Sequence, residues 1–520
     1  MSGEIKIVQL NIALIQFQMK KYPTSISEHR FVATPLAVFA GLISAQVIGT
    51  FQVGWSNRVL FNRLEAIIEG GYLAIPNDLI EPGLLSFKAA FGGGLFYTLT
   101  IGAFMSLVTA GWLKMGKGPL SQRKWGISLA LAMELGALIL LNLNGFNFFA
   151  TAYILFVPFV VWVFYRKYGV KIGPKDTIFR SFCLICPPVM LALVWAPFLS
   201  NQIFIEVRDH VLLSNSPGRM INDYYYRYTL YPAESFKSLS QKQIRTFYLD
   251  GFENFSLKPD LTDIFVARDY FPVVAGNDAD VIVVKPADDD SLVMKAKGRA
   301  MQVKSAAFFD RPNQTLQSLT DISDNNRWFR KLIYIFLVIG FPLLIYFILF
   351  GLVRKGLSWI FPPRLAMITA SVVCMGIGLA ILWLLVAGKS PAMSHSHIAG
   401  SSDRRLEQAN LKRMDQEGID PSLFPDYPAL MKNGKPSERY WLARILGNGR
   451  NEQTYLDLIR LLDDPSPNVV CMALRSLGKR GNEQAIPIIL DRMKNSDHWY
   501  IQWYAYKALK NLKWRQHRLN

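Results

Sequence analysis

Glu134 lies near the middle of an apolar stretch, in the run Ala132–Met133–Glu134–Leu135–Gly136. An ionised carboxylate at that depth in a bilayer costs roughly 3 kcal/mol unless it is paired or protonated. Two readings follow: a protonated Glu hydrogen-bonded to a neighbouring helix, or a proton or ion pathway. Cys183-x-x-Cys186 has the spacing of a redox pair. A reactive thiol needs a partly exposed helix N-terminus to lower its pKa, and this pair sits at the edge of an apolar run, so it reads as structural. Asp288–Asp289–Asp290 raises calcium, but the oxygen ligands lack the required spacing and the sharp-turn glycine, which leaves a solvated hairpin turn. His395-x-His397 without further ligands reads as flexible linker.

The densest local chemistry is aromatic. Residues 223–232 read Asp223–Tyr224–Tyr225–Tyr226–Arg227–Tyr228–Thr229–Leu230–Tyr231–Pro232. Tyrosine offers a flat apolar face and a hydroxyl, which suits a membrane surface, a protein interface or a sugar. Asp223 and Arg227 are four apart and would pair on a helix. The sequence contains no Gly-rich phosphate loop, nucleophile elbow, zinc signature or flavin fingerprint. We therefore expect no catalytic residue of the soluble type, no cofactor and no metal.

These residues must be positioned by more than one folding unit, because 520 residues exceed one ordinary core. The chain is 51% hydrophobic with its apolar residues clustered. About 20 apolar residues in a row cross a bilayer, and seven segments approach that length: Phe31–Gly54, Ala89–Leu113, Trp125–Leu143, Phe148–Tyr165, Ile178–Asn201, Leu332–Val353 and Leu365–Val386. The net charge of +18 sits largely in short loops between them, such as Lys114, Lys117, Arg123 and Lys124, or Arg354, Lys355 and Arg364. Such loops set topology, so nucleic acid is not an expected partner. With seven crossings every basic loop falls on the side of the N-terminus. That places the N-terminus in the cytoplasm, and residues 202–328 and the whole C-terminal tail outside, in what reads as a bacterial inner membrane.

Residues 1–30 alternate apolar and amide residues and read as an amphipathic cytoplasmic segment. The four cysteines leave the loop 202–328 without any, which excludes a disulfide framework there. That loop reads as an α+β domain. Its helical start continues through Ile203–Leu213, and strands are expected over Val281–Lys285, Leu292–Lys297 and Ala300–Ser305. Residues 329–387 carry the last two crossings, and 388–436 a linker with a possible repeat cap at Asp403–Met414.

The tail repeats itself. Leu446–Gly447…Asn451–Glu452–Gln453 recurs 31 residues later as Leu477–Gly478…Asn482–Glu483–Gln484. An apolar-periodic helix, an Asp/Pro turn at Asp464–Pro467 and a second helix lie between them. This pattern resembles the HEAT-repeat family in its short bacterial form, over about Ser437–Trp514 within residues 437–520. The resemblance implies helix pairs stacked into a curved solenoid whose surface binds proteins. Trp499, Tyr500, Trp503, Tyr504 and Tyr506 give the last unit more aromatic surface than core filling requires, and basic residues, Lys507 among them, crowd the end. Of these, Trp499, Tyr500, Trp503 and Lys507, together with Tyr224, Tyr225, Tyr226 and Arg227, are the candidate partner-binding residues.

The fold expected is thus a membrane all-α protein with an inserted α+β domain and a C-terminal α-solenoid. The function expected is a non-catalytic subunit that anchors and scaffolds an envelope complex, in contact with other membrane or envelope proteins and the lipid bilayer. A transporter using Glu134, or a membrane-embedded lipid or glycan enzyme using a carboxylate such as Asp223, are the alternatives.

Overall fold

A computed structural model describes residues 29–115, 120–168, 174–198, 201–252, 258–286, 290–387, 408–423 and 427–518. The amphipathic N-terminal segment, His395 and His397, and Asp288 and Asp289 of the aspartate turn lie outside them.

Five helices are long and apolar enough to cross a membrane: Thr34–Glu69, Phe87–Leu113, Phe148–Tyr168, Arg327–Leu357 and Pro363–Val386. The other two expected crossings fall on the helices Leu120–Asn142 and Pro174–Trp195. Their described apolar parts are the shorter runs Ser128–Asn142 and Phe182–Phe198. Seven crossings are thus the sequence expectation, and five are the helices that meet the length and composition test. Arg166 and Lys167 close one long helix and Arg354 and Lys355 another, so basic residues gather where those two helices end.

Small residues let the first two long helices touch. A Cβ on Gly94 would meet the Thr50 backbone nitrogen at 2.8 Å, and one on Gly49 would meet the Gly94 carbonyl oxygen at 2.9 Å. Close backbone approach replaces the hydrophobic drive that lipid cannot supply. Gly92 and Gly93 in the same triplet receive Tyr228 and Tyr231 of the inserted domain, with a Cβ at Gly92 lying 2.6 Å from the Tyr228 ring. A π-helical turn over Thr98–Gly102 follows directly. Polar side chains at this level satisfy one another: Thr98 donates to Gln46 at 2.7 Å and Tyr153 to Gln52 at 3.1 Å.

The inserted domain holds a five-stranded sheet ordered β2-β1-β3-β4-β5. The strands are β1 Arg245–Asp250, β2 Tyr270–Pro272, β3 Val281–Val284, β4 Ser291–Ala296 and β5 Arg299–Lys304. The last three overlap the expected runs and pair antiparallel, Val283 opposite Met294 and Val293 opposite Gln302. The sequence reading missed β1 and β2, which join parallel through the helix Lys258–Val266. Phe247, Phe265 and Phe308 stack into the core between sheet and helices.

The tail is a succession of short helices: Tyr427–Asn433, Pro436–Leu446, Glu452–Arg460, Pro467–Arg480, Ala485–Lys494 and Trp499–Asn511. The repeated asparagine explains one set of boundaries, because Asn451 caps its helix by accepting from the Thr454 N–H at 2.8 Å. Pro436 and Pro467 open two others, and Gly481 at φ 74° closes one. The repeated glycine is a contact residue: a Cβ on Gly447 would meet Ser476 at 2.9 Å, and one on Gly478 would meet Ala508 at 2.8 Å. Each glycine thus admits the second helix of the next unit. The helix Gln408–Glu417 packs on Pro436–Leu446 at the near end of the row.

Candidate functional site at the junction of tail, inserted domain and first long helix

Three buried carboxylates join segments that are distant in the sequence. The first, Asp280, precedes β3. It exchanges hydrogen bonds with Thr246 of β1, its N–H meeting the Thr246 hydroxyl at 2.9 Å. Its Oδ1 receives Lys242 at 2.6 Å and Arg63 at 3.0 Å, the latter from the C-terminal part of the first long helix. Burial alone would raise this carboxyl, but Lys242, Arg63 and the Thr246 N–H outweigh it and hold its pKa at about 2. Lys242 is itself pushed down to about 8 by burial against the pull of Asp280. The carboxylate is the better served partner, with two cations and a backbone donor, whereas the ammonium shares one anion with Arg63. We therefore take Asp280 as ionised. A cavity of about 40 Å³ lies beside the pair, lined in part by Glu234, Gln243, Trp499 and Trp503. That volume suits a few waters rather than an organic substrate.

The second carboxylate is Asp269, in the turn just before β2, held in the left-handed region at φ 61°. It accepts the Tyr506 hydroxyl at 2.7 Å and pairs with Lys510, both on the last tail helix. Burial and the facing carboxylate raise the Tyr506 phenol, so it stays a donor.

The third is Asp209, in a π-helical turn over Arg208–Leu212. It receives Arg208 at 2.7 Å, Lys412 at 3.2 Å and the Trp441 indole N–H at 2.8 Å. The Arg208 guanidinium lies 3.8 Å over the Tyr440 ring, and Lys412 also reaches Glu206 at 2.8 Å. Charges removed from water need such complete partnering.

Amides complete the clasp. Asn77, in the loop after the first long helix, donates its backbone N–H to the Gln502 Oε1 at 3.0 Å, and its Oδ1 accepts from the Gln502 Nε2 at 2.6 Å. Gln516 brackets Leu73 in the same reciprocal way. Asn222 donates to Asn468 at 2.8 Å, and both are buried.

The candidate partner-binding residues divide across this junction. Tyr226 meets Tyr500 with ring centroids 4.7 Å apart, and Trp499 meets Tyr231 edge-on at 5.2 Å. Trp503 stacks on Tyr500 at 5.8 Å and carries Lys507 3.4 Å above its ring. Tyr224, Tyr225 and Arg227 stay exposed. Glu134 lies far along the chain from this cluster. It sits half-buried on the inner stripe of its helix with Ala130, Ala137, Leu138 and Leu141, and makes no hydrogen bond or ion pair among the described residues. Cys183 is buried and Cys186 half-buried, both as free thiols, beside a cluster that includes Cys374.

Sequence reasoning missed all three carboxylates and the amide clasps. One signal was present: Gln502 lies three, four and seven residues before Ala505, Tyr506 and Leu509, on the buried stripe of its helix. A polar residue on a core stripe announces a buried partner.

Neither the comparison with curated proteins nor that with solved structures gives a match. Among family models, the one for HEAT repeats matches residues 427–510, the C-terminal region in which the copied turns led us to expect it.

Proposed function

We propose that this chain is a non-catalytic, polytopic membrane subunit that anchors and scaffolds a larger envelope complex. The reading places the N-terminus and the basic loops in the cytoplasm of a bacterial cell, and the inserted domain and tail on the outer face of its inner membrane. One observation carries it: a module of a family that generally mediates protein–protein contact is clasped onto the inserted domain and the loop after the first long helix. Lys412 with Asp209 and Lys510 with Asp269 pair across the seam between tail and inserted domain instead of facing an open cleft. A protein so built presents a composite outer surface on a fixed membrane anchor, which is what a scaffold needs.

Gentle-detergent co-purification of the intact chain beside a chain ending after Lys389 tests this. Defined partners that disappear with the tail are the expected result. An intact chain that purifies alone overturns the scaffold, and transport assays on a Glu134→Gln variant then become the informative experiment.

A further inference from the structure

The helix Ser216–Tyr228 shows three distinct faces. Asn215 caps it by accepting from the Gly218 N–H at 2.8 Å, and Pro217 sits in its first turn. Gly218, Asn222 and Tyr226, four apart, turn toward the protein: Gly218 against the Val211 carbonyl, Asn222 to Asn468, Tyr226 to Tyr500. Arg219, Asp223 and Arg227, also four apart, form an exposed polar edge. The remaining arc is apolar and uncovered, with Met220 73% exposed, Ile221 60%, Tyr224 41% and Tyr225 49%.

Its position identifies what covers that arc. Tyr228 rests on Gly92, and Tyr224 reaches the Gly92 carbonyl, near the start of the second long helix. Gly54 of the first long helix packs against Ala90 at the same level. Around it the long helices present exposed Trp55, Phe87 and Phe91. From Trp55, 20 residues back along its helix span about 30 Å, one hydrocarbon thickness. A ring of exposed Trp, Phe and Tyr at one level is the signature of the headgroup zone, and the apolar arc continues that ring.

We propose that Ser216–Tyr228 lies in the plane of the lipid headgroups, with Met220, Ile221, Tyr224 and Tyr225 turned into the bilayer and Arg219, Asp223 and Arg227 left in water. Its third face then seats the repeat tail on the membrane surface through Asn468 and Tyr500. An amphipathic helix with aromatic and aliphatic residues on one side and charge on the other binds such an interface. The inference concerns lipid and is independent of any protein partner.

The test is nitroxide accessibility in the full chain reconstituted into phosphatidylcholine–phosphatidylglycerol vesicles, with no other protein present. Single cysteines at 219, 220, 221, 223, 224, 225 and 227 are labelled, and signal from the unsubstituted chain is subtracted as background. The side chains of Arg219, Met220, Ile221 and Asp223 make no hydrogen bond or ion pair among the described residues, so M220C, I221C, R219C and D223C give the decisive set. Labels at 220, 221, 224 and 225 are expected to favour oxygen, and labels at 219, 223 and 227 a water-soluble nickel chelate, so that the pattern repeats every three to four residues. Nickel access at 220 and 221 equal to that at 219 and 223 overturns the proposal and leaves the arc as a protein-docking face.

Discussion

Tyr506, on the last tail helix, donates its hydroxyl to the Asp269 carboxylate 2.7 Å away, across 237 residues of sequence. Lys510, one turn further on, pairs with the same carboxylate. Asp269→Asn leaves the shape, removes the anion that Lys510 pairs with and weakens the acceptor of the Tyr506 hydroxyl. Hydrogen bonds to charged groups contribute about 1.5–3 kcal/mol, so the variant is expected to lose about 2 kcal/mol of tail docking. Hydrogen exchange should accelerate in Trp499–Asn511 while β3 and β4 keep their protection. Lys510→Met should cost less, because its side chain is partly exposed.

Asp280 makes a sharper prediction. Asp280→Asn leaves Arg63 and Lys242 buried without their anion. Breaking a buried pair from one side costs about 3–5 kcal/mol, which a thermal melt in detergent reads as a clear drop in Tm. The double change Asp280→Leu with Lys242→Met should recover a good part of that drop. The carboxyl's folded pKa of about 2 lies below its ordinary value of 3.8. Its contribution is therefore complete above the unfolded value and is lost as pH falls through about 2.

His498 gives a pH dependence in a gentler range. It caps the last helix, its Nδ1 accepting from the Tyr500 N–H at 3.2 Å, which requires a neutral ring. Burial first, then Arg227, lower its pKa below 6.5, against the opposite pull of Asp497 and Asp223. A folded pKa below the unfolded one means that the unfolded chain binds the extra proton. Stability from this residue is thus present above pH 6.5 and falls as pH drops below it. Melts from pH 7.5 to 5 should show a steeper decline in the parent than in His498→Asn, which caps without titrating. Equal slopes would remove His498 from the account.

Gly94→Val tests the helix contact. The new side chain would drive into the Thr50 backbone and the Gln46 amide, which lie 2.8 and 3.0 Å from a Cβ. Backbone cannot yield as a flexible side chain does, so overpacking of about 1–3 kcal/mol or more is expected. Gly136→Val, with open space around it, should be neutral by the same melt.

Much of the architecture is legible in sequence because it is periodic. Long apolar runs, Asn451 and its copy Asn482, and the alternating strands at Val281–Val284 and Ser291–Ala296 each repeat a local rule. The short parallel strand Tyr270–Pro272 was missed because three residues carry no period, and its pairing with β1 is set by the crossover helix. The junction was illegible for a different reason. Asp209, Asp269 and Asp280 look like surface carboxylates until Trp441, Tyr506 and Arg63 arrive from distant parts of the chain. The aromatic runs were visible, but not that Tyr226 and Tyr500 face each other.

In the proposed scaffold the tail recruits partners while docked on the inserted domain. Asn222 and Asn468 meet at 2.8 Å across that seam, and a cysteine at each position, oxidised in native membranes, locks it. Asn468→Cys alone controls for the nearby Cys471. Co-purification from gentle detergent should then return the same partners from the locked chain as from the parent. A pair that fails to cross-link, or a locked chain that loses its partners, would contradict the docked scaffold.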